Sequence, residues 1–406
     1  MFISAITALA ACDVGNATTQ KIDAPPLTVR EVRVTTGLDQ DNKPVQSKIA
    51  PDGSTLALTT TSFTIKFERF LLPSTVLRQS ICVQSKIGDV NSSAECQSPS
   101  ELFLEPTYDP TRREVTYRQS ETGPRLQPGQ TYQLTVLPPP LETVLAGGGF
   151  RAFDGAPLEA PVSFQFRTVA MDPAMAVLEK PVAGDLFCRA ETCEKDCAAS
   201  TQVKSCVTAC PSCTAACMCD PAAPECTNNC PMDNAECRKA CNECLNCEPA
   251  CQTSCLAEKC PLNVLGSLSA CVFGGCHLSN PQIGAAMGLD LSTPDAIAMT
   301  AINQVANQTM QGENADEPDR SPLRFGRAMP IIDPGNPGNS YLLYKLAVGM
   351  SATGDAAPTP EEIARLRGSV VVGMPMPPKP GVPIRPIDMS AIADWIAQGA
   401  PIPACP

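Results

Sequence analysis

Seventeen cysteines fall within the 73 residues from Cys188 to Cys260. So few apolar side chains accompany them that cross-links must stand in for a core. Their spacing is regular. Cys193 and Cys197, with Cys206 and Cys210, form one pair of C-x3-C units. Cys213 and Cys217 with Cys226 and Cys230 form a second, and Cys237 and Cys241 with Cys251 and Cys255 a third. A period of about 20 residues marks an internal threefold repeat. Residues i and i+4 share one helix face, so two short facing helices can be joined by two parallel disulfides. The spacing predicts Cys193–Cys210 with Cys197–Cys206, Cys213–Cys230 with Cys217–Cys226, and Cys237–Cys255 with Cys241–Cys251. Pro211, Pro231 and Pro261 each follow a cysteine, where proline would stop a short helix.

The repeat is similar to twin CX3C hairpins, with shorter connecting loops. A competing reading is a thiolate metal cluster, for which Cys241, Cys244 and Cys247, or Cys217 and Cys219, would suit Zn or Cu(I). Disulfides are favoured for two reasons. C-x3-C is a poorer zinc chelate than C-x2-C, and 23 cysteines in one chain point to an oxidising compartment. Cys188, Cys219, Cys244, Cys247 and Cys260 are left over here, and Cys405 makes the remainder even.

The chain has 406 residues, room for two or three domains. A net charge of −12 argues against a nucleic-acid partner, which needs clustered Lys and Arg. With 41 prolines and 4% aromatics, small strand-rich or loop-rich modules are expected rather than one large enzyme core. No stretch is long enough for a transmembrane helix. Residues 1–12 are apolar and end in Leu9-Ala10-Ala11-Cys12, which resembles a bacterial lipobox. That resemblance implies lipidation of Cys12 after signal cleavage, and hence a membrane anchor rather than a span. The basic region of a full signal peptide is missing, as if the start codon had been placed too late. Residues 13–26 read as a polar tether.

Residues 27–170 show strand periodicity. Phe63, Ile65 and Phe67 alternate with polar residues, as do Val115 and Tyr117, then Tyr132, Leu134 and Val136, then Val162, Phe164 and Phe166. Turn signals such as Pro51-Asp52-Gly53 separate them, which predicts an all-β sandwich. Cys82 and Cys96 are close enough to bridge a loop insertion.

The order of these pieces resembles the bacterial Ig-like domains of surface-layer and adhesin proteins. The resemblance is carried by the F-x-I-x-F strand, the turn Leu72-Pro73-Ser74-Thr75-Val76, Tyr108-Asp109-Pro110 with Val115-Thr116-Tyr117, and the segments 126–136, 153–158 and 163–168. It implies a spacer or binding module without catalytic residues. Residues 171–187 read as a linker, and residues 188–260 are the Cys-rich repeat.

Residues 261–406 read as mostly helical. Ser292 or Thr293 caps a helix with Pro294 at its first position. Thr359, Pro360 and Glu362 mark a stronger start, as N-cap, N1 and N3. Asp388 is expected to cap the last helix, which contains Ala391, Ile392, Trp395 and Ile396 and ends before Gly399. Residues 311–322 are a polar loop or insertion. His277, the sole histidine, directly follows Cys276, and four residues separate Cys276 from Cys271. The stretch resembles a lengthened c-type haem attachment box, in which two thiols form thioethers and the histidine binds iron. The usual box has two residues between its cysteines. An ordinary Cys271–Cys276 disulfide beside a structural histidine is the alternative.

The surroundings resemble small c-type cytochrome domains of large secreted bacterial proteins. Five pieces carry this in order: residues 271–277, Gly-Leu-Asp-Leu-Ser at 288–292, residues 333–346, Met-Pro-Met-Pro-Pro at 374–378, and residues 393–401. The resemblance implies one covalent haem c, with His277 as proximal ligand and Met376 as distal ligand, Met374 being the alternative. A thioether sixth ligand would raise the potential.

The expected whole is an exported, lipid-anchored multidomain protein on the periplasmic or cell-surface face of a bacterial membrane. An Ig-like sandwich comes first, a disulfide-stapled short-helix repeat second and a mono-haem cytochrome c-like domain last. It would pass electrons to a redox partner protein. Two rivals stand beside it: a cofactor-free surface-binding protein, and a Cys-rich metal-handling protein. No nucleophile elbow, phosphate loop or acid–base constellation points to an enzyme, and one histidine cannot build a multi-histidine metal site.

Overall fold

A computed structural model describes residues 24–39, 44–96, 102–120, 125–140, 148–170, 187, 264–272, 277–278, 288–306, 329–349, 358–371, 376 and 384–402. The lipobox-like stretch with Cys12, most of the expected tether, the Cys-rich segment with its six expected disulfides, the polar stretch 311–322 and Cys405 lie outside the described residues.

The first part is a two-sheet β-sandwich. β1 (Val29–Leu38), β2 (Pro44–Lys48), β4 (Phe63–Phe67), β6 (Leu104–Asp109) and β7 (Glu114–Gln119) form an antiparallel sheet in the order β2-β1-β4-β7-β6. β3 (Leu56–Ala57), β5 (Ile81–Gln84), β8 (Thr131–Val136) and β9 (Val162–Thr168) form the second, in the order β3-β9-β8-β5.

The alternation fixes which face is buried. Val32, Ile65 and Val115 are aligned across β1, β4 and β7, as are Val34, Phe63 and Tyr117. Opposite them, Tyr132 pairs with Phe166 and Leu134 with Phe164. The two faces meet where Phe63 and Phe166 pack with ring centroids 5.6 Å apart. Burial of this many apolar side chains, each worth roughly 1.5–3 kcal/mol, holds the sheets together. Cys82 on β5 is joined to Cys96 by a disulfide, as their proximity in sequence suggested, with Cα atoms 5.7 Å apart. Val90 and Leu137 pack around that bond as a small satellite cluster.

Helices dominate the later described segments: α1 (Val264–Val272), α2 (Pro294–Thr300), α3 (Tyr341–Ala347), α4 (Pro360–Ser369) and α5 (Pro386–Ala397). Thr293 caps α2 by accepting from the Ala296 N–H, and Thr359 caps α4 by accepting from the Glu362 N–H. The expected cap of α5 needs correction. Pro386 occupies its first turn with Arg385 as N-cap, so the helix begins before Asp388. Proline's fixed φ and missing N–H suit that first position. Asp388 sits inside the first turn and takes a two-pronged contact from Arg385, both bonds 2.7 Å. Gly399, with φ +93°, turns the chain just past the end of α5.

The helices share one core, centred on Trp395 of α5, which is fully buried. Phe187 packs against it with ring centroids 5.4 Å apart and the planes tilted by 36°. Val264, Leu268 and Cys271 line one face of α1 at i, i+4 and i+7 and enter the same core. The chain is therefore in this core both before and after the Cys-rich repeat.

The sandwich contributes to that core as well. Phe70 and Phe153, beyond the end of β4 and before β9, belong to it, and the Phe70 ring lies 5.9 Å from that of Tyr344 on α3. Arg69 is buried at the junction. Its Nη2 donates to Asp154 at 2.6 Å, and its Nε donates across to Glu362 of α4 at 3.0 Å. The Phe70 N–H donates to the other oxygen of Glu362 at 2.9 Å. A second, more exposed contact joins Arg112 to both carboxylate oxygens of Asp394 on α5, at 3.1 and 3.2 Å.

Candidate functional site

The site is built at the end of α1. Cys271 lies in its last turn, 4% exposed. Cys276 falls outside the described residues, and the chain returns at His277, which is 9% exposed. The segment 289–291 grips His277 in two ways. The Leu291 N–H donates to the His277 carbonyl at 3.0 Å, and the His277 ring Nδ1 lies 3.2 Å from the Leu289 carbonyl oxygen.

That segment is itself held firmly. The Asp290 carboxylate accepts from the Ser292 N–H and hydroxyl at 2.9 and 2.6 Å. The Thr300 hydroxyl of α2 accepts from the Asp290 N–H at 2.9 Å. The Gly-Leu-Asp-Leu-Ser stretch is thus a brace for the histidine.

A carbonyl oxygen can only accept a hydrogen bond. Nδ1 of His277 therefore carries the hydrogen, and the Nε2 lone pair is left for another partner. Burial lowers the pKa of the imidazole, the Leu289 carbonyl opposes that shift, and the charge of Lys345 adds to it. The net shift favours the neutral ring. A neutral imidazole whose far nitrogen is fixed by a backbone carbonyl is the arrangement a metal-ligating histidine needs.

Lys345 lies on α3, all of whose residues are buried. Burial, with Arg367 second, pushes its amine down to about 8. The start of α3 is buttressed by the 333–340 loop. There the Asn339 amide donates to Asp333 at 2.6 Å, and the Tyr344 hydroxyl donates to the Gly338 carbonyl at 2.7 Å. Just past α3, a side chain at Gly349 would strike the Met376 carbonyl oxygen. Only glycine permits that approach. Met376 is partly buried against the common core, and Met374 lies outside the described residues.

Cys271 and Met376 are thus brought to one apolar core, while His277 sits near enough to Lys345 of α3 to feel its charge. Among the described residues no group of three or more His, Cys, Asp or Glu side chains could hold a metal ion. No helix among them is long and apolar enough to cross a membrane.

Sequence reasoning did not single out the Leu289 carbonyl, Lys345 or Arg69. Lys345 had a visible signal, a lysine inside the apolar run Tyr341–Ala347. The Leu289 carbonyl had none, because backbone acceptors carry no residue signature.

Compared with known proteins, the chain matches no family model, no curated protein and no solved structure.

Proposed function

We propose that the chain is an exported, lipid-anchored electron-transfer protein with one covalent c-type haem in its helical part. The observation that carries this reading is the His277 ring, fixed through Nδ1 to the Leu289 carbonyl with Nε2 left as a neutral base. The donor set fits the group. Cys271, at the end of α1, and Cys276 would supply the two thioethers, His277 the proximal nitrogen and Met376 the distal sulfur, with Met374 the alternative. A haem bound there would supply one reversible iron electron.

The chain's own residues have three tasks. The 289–292 brace keeps the imidazole in one tautomer and one orientation. The Trp395 core excludes water, and a low-dielectric surrounding with a thioether ligand favours Fe(II) and raises the potential. Lys345 and Arg367 place positive charge on this side of an otherwise acidic chain. With His277 and Met376 holding the group, it would supply outer-sphere electron transfer to a redox partner protein rather than oxygen activation.

In this reading the two-sheet sandwich is an Ig-like domain, and the helical part is cytochrome c-like. Cys12 is the lipid anchor on the periplasmic or cell-surface side, and the Cys-rich repeat is disulfide-stapled. Replacing His277 with Ala tests the ligand assignment. Low-spin haem absorbance is expected to disappear, and an unchanged spectrum would overturn it. Met376→Ala is expected to remove the Fe–S charge-transfer band; its persistence would move the assignment to Met374. A colourless protein from a host with active cytochrome c maturation would favour the surface-binding alternative. Free thiols throughout the repeat would favour metal handling.

A further inference from the structure

Arg69 belongs to the sandwich, yet its Nε bond ends on Glu362, in the first turn of α4. At the N3 position, a glutamate ordinarily turns back to its own helix cap. Here one carboxylate oxygen faces the Arg69 guanidinium and the other the Phe70 N–H. Arg69 uses three separate donors. Nε goes to Glu362, Nη2 to Asp154 and Nη1 to the Pro25 carbonyl. Only a guanidinium fork reaches in three fixed directions, so lysine would not substitute.

From this anchor α4 runs into the common core, where Leu366, Val370 and Val371 are buried. Met376 follows Val371 by five residues and packs against the same core, with its carbonyl against Gly349 at the end of α3. Met376 therefore lies beside Gly349 at the end of α3, and the sandwich fixes the start of α4.

We infer that Arg69 is a positioning residue for the Met376 side of the site. By holding Glu362 in register with Phe70 and Asp154, it sets where α4 ends and so where the Met376 thioether reaches. The sandwich is part of the framework of the site rather than a spacer. The effect on an iron ligand rests on the haem reading; the docking of α4 does not.

The test uses the full chain with Arg69→Gln, Glu362→Gln and, as a control, Arg112→Gln, which cuts the more exposed contact to Asp394 on α5 and the contact to Asp109 within the sandwich but leaves α4 untouched. Glu362→Gln is the gentler change, because its amide oxygen still accepts from the Phe70 N–H. It stands in if Arg69→Gln fails to fold. Two quantities are read on the same samples: the Fe–S charge-transfer band per covalent haem, and hydrogen exchange of the Ile363 and Val370 amides.

In the two Gln variants at positions 69 and 362, those amides are expected to exchange about tenfold faster or more. The band per haem is expected to weaken by about half or more while haem content stays constant. The control should change neither. Unchanged exchange at Ile363 and Val370 overturns the inference whatever the haem does. Faster exchange with an unchanged band overturns the positioning of Met376. A wild type without haem sinks the haem reading alone, and exchange then decides whether Arg69 docks α4.

Discussion

Glu362 and Arg69 stand 293 positions apart in sequence, yet their Oε2 and Nε atoms meet at 3.0 Å in a buried junction between the sandwich and α4. Asp154 shares the same guanidinium at 2.6 Å. Removing the cation would leave Glu362 buried without its guanidinium and Asp154 with only the longer contact to Arg365, at 3.7 Å. Arg69→Met is therefore expected to lower unfolding free energy by about 3–5 kcal/mol, the usual cost of orphaning one side of a buried pair. A urea titration followed by tryptophan fluorescence checks this. The chain has a single tryptophan, Trp395, and it lies on the helical side of the junction. A shift under about 1 kcal/mol would mean that the junction is solvated.

Glu362 also gives the protein a pH signature. Burial pushes its pKa up, and Arg69 offsets this only in part. The folded state therefore holds a proton that the unfolded chain has already released. By linkage, this group lowers stability as pH rises from the ordinary carboxylate value through the raised one. Acidification within that window should therefore add stability through this group's proton uptake. Glu362→Gln should flatten the stability profile there. A midpoint that falls on mild acidification in the wild type, and equally in the Gln variant, would contradict this.

The Cys82–Cys96 bond closes a loop of separation 14 on the edge strand β5. A loop of about 15 residues predicts about 3 kcal/mol of stabilisation through the unfolded state. The Cys82→Ser, Cys96→Ser double variant should lose about that much in a denaturant titration of the sandwich. A loss near zero would show that the loop is held by the Val90 and Leu137 contacts alone.

Trp395 fills the centre of the helical core, and its indole N–H donates to the Pro401 carbonyl at 2.8 Å. Trp395→Ala should cost about 3–5 kcal/mol, combining lost burial with a cavity. Far-UV circular dichroism should show helix melting at lower temperature. An unchanged helical transition would place the core elsewhere.

Much of the sandwich was legible from alternation, because β4, β7, β8 and β9 each place apolar side chains at every second position; β7 and β9 expose more of the residues between, whereas β4 and β8 bury most of theirs as well. β1 was not singled out, since a register shift between Val29 and Glu31 breaks its period. β6 contains Pro106, which an edge strand tolerates. Arg69 continues the spacing of Phe63, Ile65 and Phe67 and so fell on a position that should be buried. Nothing local could name Glu362 as its partner. Helix starts were legible where Thr precedes Pro, at Thr293 and Thr359, and misplaced at Asp388, where Pro386 set the start. The neighbours of His277 were legible as a motif, but the role of that motif as a carbonyl brace was not.

The central claim is that the residues around His277 hold a haem covalently, and a pyridine haemochrome spectrum tests it most directly. The protein would be produced in a host with active cytochrome c maturation, denatured, and extracted with acidified solvent. The account predicts a haem signal that stays with the polypeptide at one haem per chain. A polypeptide freed of haem by extraction, with Cys271 and Cys276 joined in a disulfide, would contradict it.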